Sequence, residues 1–79
     1  MIHYRCDERH QLVALHTIAL PARGSGARIN TMIGLIRRGM PLPPIRLRRV
    51  GHGVVIVDGT HRVLASLALG FGFVPARIG

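Results

Sequence analysis

The stretch Val54-Val55-Ile56-Val57-Asp58-Gly59-Thr60-His61-Arg62 constrains the fold more than any other part of the chain. Four consecutive β-branched residues read as a strand that is apolar on both faces, and therefore as a central strand. Asp58-Gly59 ends it. Thr60 to Leu69 follows at once as a helix, apolar nearly all round and stopped by Gly70. A strand that passes through one glycine into a helix demands a sheet with a helix laid on its face, an α+β or α/β architecture. With 79 residues there is room for one such layered core, so residues 1–79 are expected to form a single domain.

The remaining segments are placed around that junction. Residues 1–11 are polar and without a clear period, an extended lead-in. Leu12 to Leu20 is apolar and ends at Pro21, which reads as a first strand. Ser25 is a natural N-cap for a helix over Ala27 to Arg38, whose stripe of Ile29, Met32, Ile33 and Ile36 has helical spacing. Gly39 and Pro41 end it, and Gly34 within it suggests close packing against a neighbour. Leu42-Pro43-Pro44 is extended by proline geometry, and Ile45-Arg46-Leu47-Arg48 alternates as a half-buried strand with one wet face. Gly51-His52-Gly53 supplies a turn. Phe73 to Ile78 closes the chain as a strand that Pro75 would confine to a sheet edge. The expectation is a small mixed sheet of about four strands with two helices. Element order alone would suggest a ferredoxin-like βαββαβ arrangement.

Charge narrows the partners. All 11 basic residues are arginine against 3 acids, a net charge of +8. Arginine's rigid, always-charged fork suits phosphate, so a phosphorylated or polyanionic partner is expected. Arg37, Arg38, Arg46, Arg48 and Arg49 form the densest basic group, and Arg46 and Arg48 share one face of their strand. A DNA duplex could lie there through phosphate contacts, and a solvated face that keeps a small apolar protein soluble reads equally well.

Several classes are excluded. Cys6 is the only cysteine, which rules out an intramolecular disulfide and fits a reducing cytoplasm. Val63 to Ala76 comes closest to the ~18 apolar residues of a membrane span but holds Ser66, two glycines and Pro75. Asp7 and Glu8 stand where a signal peptide would be free of acids. Tyr4, Phe71 and Phe73 are too few for a base-stacking platform. His3, Cys6, His10 and His16 lack the spacing of a metal site, so no metal is expected. Apolar residues make up 48% of the chain, yet a domain this small buries only ~60% of its unfolded surface, which makes a homodimer the expected assembly.

The chemistry concentrates at the strand–glycine–helix junction. The first N–H groups of a helix have no intrahelical partner and the dipole there is positive, a ready anion site. Gly59 lets a phosphate approach, Thr60 offers a hydroxyl, and His61 and Arg62 add donors in the first turn. His61 and Asp58 are the catalytic candidates, as a base and the group that orients it. The simpler reading has Asp58 or Thr60 capping the helix while His61 and Arg62 face solvent.

From Leu12 to Ile78 the chain resembles the ParB/sulfiredoxin-like family. Gly59-Thr60-His61-Arg62-Val63-Leu64-Ala65 is similar to the Gly-x-x-Arg-x-x-Ala box of ParB partition proteins. Asp58-Gly59-Thr60-His61-Arg62 looks like the Asp-Gly-His-His-Arg run of the ParB-like free-serine kinases. Leu42-Pro43-Pro44-Ile45 echoes the segment before their second strand. The resemblance implies a compact fold binding nucleotide phosphates through Gly59, Thr60, His61 and Arg62, with ATP or CTP and Mg²⁺ as ligands and hydrolysis or phosphoryl transfer as the chemistry. Thr60 stands where sulfiredoxins carry their reactive cysteine, so sulfinic acid reduction is not expected. The alternative is a non-catalytic DNA-binding accessory protein that uses its arginine-rich face.

Overall fold

The computed structural model describes residues 2–21 and 23–79. Its elements are β1 (Gln11–Ala14), a 3-10 turn (Leu15–Thr17), β2 (Ile18–Ala19), α1 (Gly26–Arg37), β3 (Ile45–Val50), β4 (Gly53–Asp58), α2 (Thr60–Ala68) and β5 (Phe73–Ile78). They form one mixed sheet in the order β1-β5-β3-β4-β2. β3 runs parallel to β5 and antiparallel to β4; β1 is antiparallel to β5, and β2 parallel to β4.

The helices cover one face of this sheet. Ile36 of α1 and Val63 and Ala65 of α2 join Ile45, Leu47, Val54, Val74 and Ala76 in a single core. The alternation along β3 is as expected, with Ile45 and Leu47 buried and Arg46 and Arg48 exposed. Ser25 caps α1 as expected, its hydroxyl accepting from the Arg28 N–H at 3.4 Å. The helix begins and ends one residue earlier than the sequence suggests, with Arg38 as its C-cap and Gly39 at φ +71° behind it.

Four expectations need correction. The sheet has five strands, because the run read as one strand from Leu12 to Leu20 is broken by the 3-10 turn at Leu15–Thr17. There the Thr17 hydroxyl donates to the Ala14 carbonyl at 2.7 Å, a local bond that competes with a continuous ladder. The two halves separate to opposite edges of the sheet, so one apolar run supplies both edge strands.

Pro75 does not mark an edge: β5 lies between β1 and β3. Leu15 N–H donates to Gly72 O, and counting along the β1–β5 register puts Leu12↔Pro75 at a position that exchanges no hydrogen bonds. The missing N–H therefore faces the β3 side, where the ladder starts only at Ile45↔Ala76. Nothing is lost by having proline there.

β4 is second from the edge and β3 takes the centre. The β3–β4 register shifts between Arg46 and Leu47, which leaves Val57 without a partner on β3 and 52% exposed. Gly34, finally, is not a packing glycine, since a Cβ there would meet nothing within 4 Å.

The polar lead-in holds a core residue that periodicity does not reveal. Tyr4 is fully buried, and its hydroxyl donates to Pro43 O at 2.7 Å and lies 3.4 Å from Pro75 O. Backbone bonds from Leu42 N–H to Arg5 O and from Phe73 N–H to Ile2 O bind the rest of the lead-in to the domain. No helix among the described residues is long and apolar enough to cross a membrane.

Candidate functional site

Gly59 turns the chain from β4 into α2 with φ +110°, a left-handed conformation that side chains resist. A Cβ there would stand 2.6 Å from Ile45 Cγ2 and 2.9 Å from Ile45 Cβ. The glycine is thus required by the fold itself, by backbone conformation and by contact with the core, quite apart from any ligand.

Because the N-cap is glycine, no side chain caps α2, and its first turn holds no acidic residue. The first intrahelical bond runs from Val63 N–H to Gly59 O at 3.0 Å. The N–H groups of Thr60, His61 and Arg62 precede it and are the natural donors to an anion. They open into a concavity of about 300 Å³ lined by Met32, Val57, Asp58, Gly59, Thr60, His61 and Arg62. The structure therefore brings together all four residues assigned to phosphate binding and both catalytic candidates.

Two of these side chains already have work within the fold. His61 Nε2 accepts from the Ser25 backbone N–H at 3.2 Å, which assigns the ring proton to Nδ1. Gly24 lies against the same ring: a Cβ on it would come within 2.7 Å of Leu64 Cδ1 and 3.2 Å of His61 Nε2. The start of α1 is thereby held against the start of α2, and two helix N-termini meet at His61. Arg62 turns inward and is 8% exposed. Its Nη1 donates to the carbonyls of Pro43 and Pro44, and its Nη2 lies 3.4 Å from Asp58 Oδ2. Asp58 and His61 do not face each other as base and orienter; each has a different partner.

Tyr4 sits beside Arg62. Burial raises its hydroxyl pKa from 10.0 to about 12, with the Arg62 charge pulling the other way. Tyr4 and Arg62 converge on Pro43 O from the lead-in and from α2. Sequence reasoning missed Tyr4, Gly24, Ser25 and Pro43 as supports of the site. The compact Gly24-Ser25-Gly26 segment was the one local signal, and it was legible only as a cap.

The arginine group is divided. Arg46 and Arg48 project from the sheet face turned away from the helices, Arg49 alternates to the other side near the end of β3, and Arg37 and Arg38 close α1. Among the described residues no group of three or more His, Cys, Asp or Glu could hold a metal ion.

No protein-family model matches the chain, and no curated protein matches it. Solved structures do. Sulfiredoxin from Arabidopsis thaliana superposes with a TM-score of 0.70 at 22% identity, over 87% of this chain and 84% of that one. Free serine kinase in complex with ADP gives 0.79 at 21% identity, over 96% of this chain and 34% of the kinase. SbnI from Staphylococcus aureus, with a C-terminal truncation, gives 0.77 at 24% identity, over 87% and 30%. The chain thus spans about a third of the kinase and of SbnI and most of sulfiredoxin. The fold is the ParB/sulfiredoxin-like fold, as the resemblance in sequence implied.

Proposed function

We propose that this domain binds a nucleotide through its phosphates at the N-terminus of α2. The observation that carries the reading is the uncapped first turn, whose Thr60, His61 and Arg62 N–H groups open into a concavity beside the Thr60 hydroxyl. The kinase of the same fold has been solved with ADP and with AMP, which supports a nucleotide over a simple anion. At about 300 Å³ the concavity is at the small end of ligand sites, suited to the phosphates more than to a whole enclosed nucleotide.

The backbone donors and the Thr60 hydroxyl would contact phosphate oxygens, and the His61 Nδ1–H is a further donor in the same turn. Arg62 acts one step back. By holding the first turn of α2 to Pro43 and Pro44 it fixes the direction of those N–H groups, and its charge offsets Asp58. The residues present fit a Mg²⁺–nucleotide modestly: Asp58 is the one carboxylate lining the concavity, its side chain is 67% exposed, and Mg²⁺ commonly takes one or two carboxylates with the phosphates. Bound Mg²⁺ would supply charge neutralisation of the phosphates. Hydrolysis or phosphoryl transfer would draw on His61 or Asp58, the titratable groups at hand besides Arg62.

Thr60→Glu tests the site without harming the fold. A carboxylate in the first helical turn is favourable to the helix dipole and repels phosphate. Calorimetric titration with ATP, CTP and ADP in the presence of Mg²⁺ is expected to show affinity at least roughly tenfold weaker, about 1.4 kcal/mol, with the melting temperature kept. Unchanged affinity would remove the site from α2.

A further inference from the structure

Away from the α2 site, two adjoining hollows of about 610 and 730 Å³ meet at Arg77 and Ile78. Arg9 and His10 line the first, Arg46 and Arg48 the second, and no acidic side chain lines either. All four arginines are exposed. Among the described residues the ion pairs are Arg5–Asp7 and Arg62–Asp58, so none of the four has an acidic partner. Asp58 is opposite Arg46 in the β3–β4 ladder, but its carboxylate turns to Arg62.

The register makes this arrangement costly for the fold. Arg46 and Arg77 are direct Cα partners in the parallel β3–β5 ladder, so two like charges stand side by side on neighbouring strands. Such pairs are destabilising in a sheet. Arg77 is also fastened to the lead-in, its Nε donating to Arg9 O at 2.9 Å, which keeps Arg9 and Arg77 together. The result is a continuous basic groove on the face of the sheet that the helices leave open. It is not the arginine cluster visible in the sequence, since Arg9 and Arg77 enter it and Arg37, Arg38 and Arg49 do not.

We propose that this groove binds the phosphodiester backbone of a nucleic-acid duplex. Four exposed guanidiniums without an acidic side-chain partner complement a line of phosphates. No Phe, Tyr or Trp side chain lines the groove and His10 is its one aromatic ring, too little for a base-stacking platform, so binding is independent of sequence. The inference stands on other residues than the nucleotide site and does not depend on it.

The test is fluorescence anisotropy of a labelled mixed-sequence DNA duplex titrated with the whole chain over a range of salt. Three proteins are compared: the unaltered chain, Arg46→Gln with Arg77→Gln, and Arg37→Gln with Arg38→Gln. The second pair removes the same charge outside the groove. The groove variant is expected to bind at least roughly tenfold more weakly and to lose about two units of salt slope, with the Arg37/Arg38 variant close to the unaltered chain. Equal losses in both variants would reduce the effect to net charge and overturn the groove. So would absence of duplex binding by the unaltered chain, affinity indifferent to salt, or capture by anionic lipid vesicles in place of DNA. Nucleotide titration of the groove variant separates the two sites: it is expected to keep the nucleotide affinity of the unaltered chain, and loss of both affinities together would overturn the groove as a site of its own.

Discussion

Arg62 shows how one side chain joins the stability of this domain to its site. A guanidinium in the first turn of a helix is easily assigned to phosphate, yet here it is nearly buried and spends its donors on Pro43, Pro44 and Asp58. Removing it would take the charged donor from the Pro44 carbonyl and leave Pro43 O to the Tyr4 hydroxyl alone, and hydrogen bonds to a charged group are worth roughly 1.5–3 kcal/mol. Arg62→Ala is therefore expected to lose stability of that order in denaturant melts, and any loss of nucleotide binding would follow from a loosened first turn. A stability equal to that of the unaltered chain would show the guanidinium to be free. Tyr4, the only tyrosine in the chain, gives a matching pH dependence. Its folded pKa is raised, so the neutral phenol is the form the fold favours. Below pH 10 the phenol is neutral folded and unfolded, and its contribution is complete. As pH rises from 10.0 to about 12 the unfolded chain ionises first and that stability is lost. Tyrosinate absorbance followed with circular dichroism is expected to show ionisation and unfolding together near the top of this window. Ionisation at the ordinary value, with the fold intact, would contradict the burial of Tyr4.

At the scale of elements, local rules succeeded where the determining contacts were local. The cap at Ser25, the apolar stripe of α1, the alternation of β3 and the strand–glycine–helix junction were all legible, because each depends on neighbours a few residues away. They failed where a distant partner decides. Nothing near Leu15 states that its run will be divided between opposite edges of the sheet, and nothing near Pro75 states that the β3 ladder begins one residue later. Tyr4 is a core residue only because Pro43 and Pro75, dozens of residues away, accept from its hydroxyl. Likewise the residues Gly59 to Arg62 could be picked out from sequence, but the inward turn of Arg62 and the Ser25–His61 bond could not. Gly34 gives an element-scale prediction. It lies inside α1 with open space where a Cβ would go, so Gly34→Ala is expected to raise stability by about 0.5–1 kcal/mol through helix propensity and a less flexible unfolded chain. A drop in melting temperature would mean that a neighbour fills that space.

For the whole molecule, the fold gathers five of the eleven arginines at two separate places. One is the meeting point of two helix N-termini, where backbone dipoles and His61 offer donors to a small anion. The other is the open face of the sheet, where arginines from the lead-in, β3 and β5 form a groove. Neutral donors and one buried arginine stand at the first place and four exposed guanidiniums at the second. The central claim is the first place, and amide NMR tests it most directly. The ¹⁵N-labelled chain would be titrated with ATP, CTP and ADP, each with Mg²⁺. Saturable shifts centred on the amides of Gly59, Thr60, His61 and Arg62, absent in Thr60→Glu, are the predicted result. Silent amides there, or shifts confined to the arginine groove, would contradict a nucleotide site at the start of α2.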